Sequence, residues 1–247
     1  MPLRESEAIV LRSFPLGEAD RVVSFLSRTE GRLKGVARGA RRTKNQFGST
    51  LEVLSHVRIW FYERETRDLV RISQCELLES FYEAQKDYAT SLALGLVSEV
   101  VERILPEREA SDPVFRLVLL TARAISQKAG LWLPLAYFAV WQVRLAGWLP
   151  RMDRCQNCGK EFGAGGAWAL MNGELVCSNC RIGGRHIEPG ALAAGLRIQS
   201  EKLEKLSEAP PPGADLKAIL EEMLDIIERE TERTLAIRKM MAGQIEI

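Results

Sequence analysis

The chain has 247 residues, room for one large domain or two small ones, and its 46% hydrophobic and 27% charged residues exclude a disordered or collagen-like polymer. Lys and Arg number 34 against 33 Asp and Glu, and a net charge of +1 would by itself argue against a polyanionic partner. Charge is unevenly spread, however: residues 1–80 hold 14 basic and 11 acidic side chains, residues 81–150 hold 7 of each, and residues 151–247 hold 13 and 15. The positive excess lies at the N-terminal end.

Arg4, Glu5 and Glu7 stand where a secretory signal needs an apolar run, so no signal peptide is expected. Val, Ile, Phe, Tyr and Trp then alternate with polar residues in five short stretches, 7–13, 21–27, 32–37, 53–62 and 69–75, which predict strands. The breaks fall at Pro15 and Gly17, at Glu30-Gly31, at 41–49 and at 63–68. Five short strands cannot shield both faces of an open sheet, so a small closed barrel of the OB type is the economical arrangement.

From residue 81 the period becomes helical. Leu92, Leu96, Val97, Val100 and Ile104 mark a first helix that stops at Pro106. Ser111-Asp112-Pro113 opens a second over 114–129, stopped by Gly130, and a third covers 134–146 before Gly147. The apolar stretch 131–141 is broken by Pro134 and followed by Gln142 and Arg144, too short for a membrane span and suited to a buried helix. Residues 151–188 are rich in Gly and Cys with little periodicity, a segment that needs something other than a core to hold it. A short helix at 189–206, the Pro210-Pro211-Pro212 break and a last helix at 215–241 complete the chain. The reading is therefore an α+β chain: a barrel at 1–80, a helical domain at 81–150 and 189–247, and a cysteine insertion at 151–188.

Cys155-Gln156-Asn157-Cys158 and Cys177-Ser178-Asn179-Cys180 are separated by 18 residues, a spacing typical of zinc sites. Two residues between cysteines let both thiolates of a tight turn face one ion, and Gly159 supplies permissive backbone. Four thiolates saturate a tetrahedral Zn2+, leaving no position for an activated water, so such a site is structural. Two redox pairs, or cysteines buried by chance, are the competing readings; neither pair opens a helix in a βαβ unit, which favours zinc. His186, six residues past Cys180, is an alternative ligand. Cys75 reads as a small buried apolar residue.

Between residues 28 and 44 stand Arg28, Arg32, Lys34, Arg38, Arg41, Arg42 and Lys44 against Glu30 alone, net +6 in 17 residues. Arg32, Lys34 and Arg38 share one parity of a strand and lead into the Arg41-Arg42-Lys44 loop, a stripe matched to the phosphates of single-stranded nucleic acid. Trp60, Phe61 and Tyr62 are candidate stacking platforms, although alternation sends some of them inward. A solvated strand face followed by a disordered loop would show the same charge. His56 and His186 are the two histidines, neither beside a catalytic partner in sequence; Glu221-Glu222 look like solvated charges; and P-loop, GxGxxG, HExxH and GxSxG motifs are missing. Binding fits these features better than catalysis, and no enzyme is expected.

The run from Glu7 to Val23 (EAIVLRSFPLGEADRVV), its continuation from Gly31 to Arg42 (GRLKGVARGARR), the Gly147-Trp148-Leu149-Pro150 turn before the first cysteine pair, and the second pair resemble the bacterial RecO family over about residues 1–185. The resemblance implies an OB domain, a helical domain and a zinc motif that some members lack and this chain keeps. It implies a mediator of recombinational DNA repair that binds single- and double-stranded DNA, anneals complementary strands and, with RecR, helps load RecA on DNA coated by single-stranded DNA-binding protein (SSB). By position the family's basic strand and loop fall on Arg32, Lys34, Arg38, Arg41, Arg42 and Lys44. It also implies a helical-domain site for the acidic SSB tail, with Arg116 and Arg123, seven residues apart on one helix face, as candidates, and a cytoplasmic, nucleoid-associated location. The alternative is a non-catalytic, zinc-stabilised scaffold in a repair complex.

Overall fold

The computed structural model describes residues 3–63, 69–127 and 130–242. Five strands, β1 (Leu3–Leu16), β2 (Asp20–Ser27), β3 (Gly31–Ala37), β4 (His56–Tyr62) and β5 (Leu69–Glu79), form a closed barrel in the order β1-β2-β3-β5-β4. All pairs are antiparallel except β3 with β5, whose parallel register runs from Lys34↔Leu69 to Ala37↔Ile72, and β4 closes the barrel on β1. All five predicted strands are present. The break expected at Pro15 lies further on: β1 continues through Pro15, opposite Arg21, and the chain turns after Leu16, with Gly17 at φ +57°. The fourth strand begins at His56 rather than Val53, because Leu54 adopts φ +60° and donates its N–H to the Val10 carbonyl, while the Val10 N–H donates to the Ser55 carbonyl, beside the bulge in β1. Residues 64–68 of the last expected break lie outside the described residues.

Alternation fills the barrel with Val10, Phe25, Leu33, Phe61, Ile72 and their neighbours, each side chain of Phe or Leu size contributing about 1.5–3 kcal/mol on burial. Gly35 faces this interior, where a Cβ would lie 2.8 Å from Ile72 Cγ1 and 2.9 Å from Val70 Cγ2. Cys75 belongs to the same core, and burial, opposed by a hydrogen bond with Thr50, pushes its thiol up to about 12. It is the inert apolar residue expected.

The described residues pack as two units, those within Met1–Lys128 and Leu235–Ile247 in one and those within Ala129–Thr234 in the other. Packing and composition thus divide the chain differently, since composition marks where the sequence changes character and packing marks which elements touch. In the first unit the barrel is joined by a 3-10 turn (Ala84–Lys86), α1 (Tyr88–Ile104), α2 (Asp112–Ser126) and α7 (Ala236–Ala242). Asp87 caps α1 by accepting the Thr90 N–H at 2.8 Å. The expected end of α2 at residue 129 lies outside the described residues. Helix α1 packs on β1: Ser98 Oγ donates to the Leu11 carbonyl at 2.5 Å and Arg12 pairs with Glu102 at 2.6 Å. The outward-facing Ile9, Leu11 and Leu26 are fully buried in this way.

In the second unit α3 (Trp132–Leu145), α4 (Pro189–Ser200), α5 (Leu203–Glu208) and α6 (Gly213–Thr231) pack mainly through α3 against α6 and α4 against α6. The expected buried helix is α3. Two expected single helices are each broken in two. Glu201 and Lys202 are extended, separating α4 from α5. At the end of α6 Glu232 turns left-handed at φ +54° and the Arg233 N–H donates to the Glu228 carbonyl, so α7 starts anew with the Glu99 carboxylate accepting the N–H groups of Ala236 and Ile237 at 3.0 and 2.9 Å. Among the described residues no helix is long and apolar enough to cross a membrane.

Gly31 closes the β2–β3 turn at φ +74°, where a Cβ would lie 2.3 Å from the backbone carbonyl of Glu109. Gly17 has φ +57° but open space around it. Gly17→Ala is expected to cost about 1–2 kcal/mol and Gly31→Ala roughly 3 kcal/mol or more, because the second adds a backbone clash to the left-handed strain. Urea midpoints of the two variants check this; equal losses would show that the contact with residue 109 carries no constraint.

Candidate nucleic-acid interface and metal centre

The basic segment is placed by β3 and the loop after it. Along β3 Leu33, Gly35 and Ala37 face inward while Arg32, Lys34 and Val36 face outward, and Arg38 follows in phase, the parity expected. The seven cations then divide by their partners. Arg28 Nε lies 2.7 Å from Asp112 and its Nη1 3.1 Å from Glu7, with the guanidinium 5.6 Å from the Phe115 ring. Arg32 Nε donates to the Leu105 carbonyl at 2.9 Å, and its Nη1 lies 3.3 Å from Glu107. Lys34 Nζ lies 2.7 Å from the same Glu107 oxygen, and that hydrogen bond, against weaker desolvation, holds the Glu107 carboxyl below its usual range. These three cations answer carboxylates of their own unit. Glu107, which lies in a different segment of the sequence, is the acidic residue that faces both strand cations and offsets half of their charge.

Arg38, Arg42 and Lys44 are exposed, and among the described residues none of them is in an ion pair; Arg41 donates to the Gly17 carbonyl at 2.6 Å. Their loop is tied down rather than loose. Gly39, at φ +71°, donates its N–H to Asp20 at 2.8 Å, the Arg41 N–H donates to Ala19, and Phe47 is buried in the barrel core. Asn45 Oδ1 accepts the N–H groups of Phe47 and Gly48, and Gln46 donates to the Ser73 carbonyl at 2.8 Å. Of the candidate aromatics, Phe61 points into the core, whereas Trp60 and Tyr62 are outward and half-buried. Trp60 Nε1 donates to Glu5 at 3.0 Å. The charge reading missed Arg71, outward on β5 opposite both Val36 and Tyr62, because it lies 27 residues beyond Lys44 and joins the segment only through the parallel β3–β5 pairing.

Arg116 and Arg123 are both exposed on α2. Arg116 pairs with Asp112 at 3.0 Å, and Arg123 grips Glu79 with Nε and Nη2 at 2.9 and 2.8 Å. His56 is buried edge-on to Phe115, 3.4 Å from Glu7, and desolvation lowers its pKa despite that carboxylate.

The 151–188 segment is built on a small sheet that its sequence did not announce, β6 (Ala167–Ala169) flanked by β7 (Leu175–Val176) and β8 (Arg185–Ile187). Its two turns bring Cys155, Cys158, Cys177 and Cys180 together, all four sulfurs within 4.8 Å of one another and those of Cys158 and Cys177 3.8 Å apart. In the first turn the Gly159 N–H, at φ +73°, donates to the Cys155 carbonyl, and the Cys155 N–H to Lys160; in the second, the Cys180 N–H donates to Cys177. Burial pushes the Cys155 thiol up, but hydrogen bonds from the backbone N–H groups of Cys158, Cys177 and Asn157 outweigh it and bring it to about 6. Backbone amides aimed at sulfur stabilise the thiolate that a metal requires. The four sulfurs can hold one metal ion.

His186 stands outside this group, its Nε2 2.9 Å from the Gly165 carbonyl and its Nδ1 3.3 Å from Glu188, with its ring tilted against Trp168 at 5.1 Å. The sheet is anchored by Arg185, which binds Glu222 and, at 2.8 Å, Asp225 on α6. Glu222, expected as a solvated charge, is therefore a buried anchor: its helix position turns it toward β8 instead of water.

Comparison with known proteins adds two family matches: the model of the N-terminal part of recombination protein O covers residues 1–81, and that of its C-terminal part covers residues 85–239. The chain is 39% identical over 243 residues to the DNA repair protein RecO of Koribacter versatilis, covering 97% of this chain and 98% of that one. It is 31% identical over 212 residues to the RecO of Syntrophobacter fumaroxidans (83% and 84% covered) and 36% identical over 189 residues to that of a Nocardioides species (74% and 76% covered).

The thiolate geometry predicts one tightly held metal ion per chain. Its removal by a strong chelator, or Cys177→Ser, is expected to lower Tm by on the order of 10 °C, reflecting a loss of several kcal/mol. Elemental analysis and a thermal melt check this; a chain that melts unchanged without metal would overturn the structural role.

Proposed function

This chain belongs to the RecO family of DNA repair proteins, and from that premise we propose that it is a non-catalytic recombination mediator whose barrel holds nucleic acid. The observation that carries this reading is the ordered loop after β3, which presents Arg38, Arg42 and Lys44 to solvent without internal carboxylates among the described residues. A phosphate reaching these side chains displaces water and counterions, the exchange that drives association with a polyanion. In this reading Arg28, Arg32 and Lys34, partly neutralised by carboxylates, are a secondary set, and Arg41 lies within the loop with its guanidinium on the Gly17 carbonyl. The chain binds single- and double-stranded DNA, anneals strands, and helps RecR load RecA on SSB-coated DNA in the cytoplasm, at the nucleoid. The exposed face of α2 with Arg116 and Arg123 is its place for the acidic SSB tail; a carboxylate there would compete with Asp112 and Glu79 for the guanidinium groups.

The metal is proposed to be Zn2+. At a Zn–S distance of about 2.3 Å, tetrahedral sulfurs lie roughly 3.8 Å apart. The Cys158–Cys177 separation of 3.8 Å equals that edge. Four such ligands leave no open position, so the ion stiffens the small sheet and contributes no chemistry.

Salt titration of single-strand affinity tests the phosphate contacts. Arg38→Ala and Arg42→Ala should each weaken binding and shallow the slope of log K against log salt by about 0.7. Glu107→Gln should do the opposite, strengthening binding and steepening the slope by up to about 0.7 for each of Arg32 and Lys34 that then meets a phosphate. If the arginine variants leave both affinity and slope unchanged, the loop is no DNA site, and a protein-only scaffold becomes the better reading.

A further inference from the structure

The outer wall of the barrel has two halves with opposite fates. On β1 and β2 the outward Ile9, Leu11 and Leu26 are sealed, with α1 packed on β1. On β3, β5 and β4 the outward side chains other than His56, which is buried against Phe115, keep solvent access, and they are an unusual mixture. Tyr62 sits between Leu3 of β1 and Arg71 of β5 in the two antiparallel registers. Arg71 sits between Tyr62 and Val36, with Arg38 two residues along β3. Leu69, at the start of β5, lies opposite Lys34. Leu3 and Leu69 are 52% and 38% exposed, large apolar side chains left open on a wall that also carries cations.

Carboxylates divide this wall as they divide the basic segment. Glu5 accepts the Trp60 N–H and, with Glu76, faces Arg58 at 3.5 and 3.6 Å, so the Trp60 end is internally satisfied. Glu107 occupies Lys34. Arg71, like Arg38, is in no ion pair among the described residues, and the phenol ring beside it has Leu3 as its cross-strand neighbour on the other side. Neighbouring strands are about 4.8 Å apart, so Tyr62, Arg71 and Val36 form one short row across the wall, with Arg38 leading from its end to the Arg42 and Lys44 loop.

We infer that this row is a single-strand platform on which a base stacks against Tyr62 while Arg71 takes the adjoining phosphate, extending the loop track across the barrel wall. The inference rests on the nucleic-acid reading proposed above and sharpens it in strand type. A duplex keeps its bases paired and offers the row phosphates alone; a single strand offers phosphates and the faces of its bases. Trp60, although its ring is the larger, is a poorer place for a strand, because Glu5, which accepts its N–H, and Glu76 repel an approaching phosphate.

The experiment compares three labelled strands of equal length by fluorescence anisotropy: oligo-dT, an abasic strand and a duplex. Stacking of one base is worth roughly fivefold to a hundredfold in affinity. Wild type should bind oligo-dT more tightly than the abasic strand by a factor in that range. Tyr62→Leu should erase the difference and leave duplex affinity unchanged, Tyr62→Phe should keep it, and Arg71→Gln should weaken oligo-dT and abasic strands alike. Thermal melts and the retained duplex affinity verify that the variants fold. Wild type indifferent to the bases, or Tyr62→Leu losing duplex and single strand equally, overturns the platform. Arg42→Ala, measured alongside, keeps the two readings apart: if it weakens all three ligands while Tyr62→Leu changes none, the loop binds DNA and the wall does not; if neither matters, the nucleic-acid reading itself falls.

Discussion

The parallel pairing of β3 with β5 is the constraint on which the rest of the first unit depends. Without it the strands would form an open sheet with two edges and a half-covered core; with it the sheet closes and one side of every strand is committed to the interior. Phe25, Phe61 and Ile72 fill that interior, and Phe47, from the loop after β3, plugs it, so a ligand can be met only outside. Gly35 is required at this seam because Val70 and Ile72 already occupy the space a Cβ would need. The same pairing carries Arg71 to the basic strand. Closure therefore sets both the stability of the barrel and the composition of its open wall.

Charge placed by sequence and charge available to a ligand are different quantities. A phosphate that reaches Lys34 must displace the Glu107 carboxylate, so the attraction gained is offset by the ion pair lost, and the net term is small at a solvent-exposed site. At Arg38, Arg42 or Lys44 the phosphate displaces counterions and water alone. The segment between residues 28 and 44 is thus two populations. Its strand half is held by acids of the segment after α1 and by Glu7 and Asp112, which fastens the barrel to the helices of its unit. Its loop half is fastened by backbone and amide hydrogen bonds, which leave Arg38, Arg42 and Lys44 outside any ion pair among the described residues.

Local chemistry was legible in the sequence to the extent that short-range physics determines it. The five strands follow from period-2 alternation, the cysteine cluster from two C-x2-C turns, and the division of Trp60, Phe61 and Tyr62 between the two faces from parity. Features set by tertiary partners were not legible. The break between α6 and α7 depends on Glu99, more than 130 residues away, capping a new helix at Ala236. The burial of Glu222 depends on Arg185 arriving from β8. The small sheet β6–β8 has strands of two or three residues, below the length at which alternation can be recognised. Neutralisation of Arg32 and Lys34 likewise needs the turn after α1, where the Arg108 N–H donates to the Arg32 carbonyl and lays Glu107 along the strand.

The cysteine segment shows how a stretch with a small core is kept in place. Cys155, Val176 and Cys177 form a cluster with Phe162, Trp168, Leu170 and Cys180 against them, and Met152, Ala167, Leu175 and Ile187 are buried besides, little apolar surface to set against the conformational entropy of some 38 residues. Two other kinds of tie take over. A metal ion held by the four thiolates would close the long loop between the two turns, and a tie that spans a long loop removes more unfolded-state freedom than one that spans a short loop. The second tie is polar: Arg185 reaches the buried Glu222, and a lone carboxylate at that site would be costly, so the pair resists separation even though its formation contributes little net stability. Trp168, between the Arg181 guanidinium at 3.9 Å and the His186 ring at 5.1 Å, covers one side of the sheet. Specificity of placement, rather than burial, is what such ties provide.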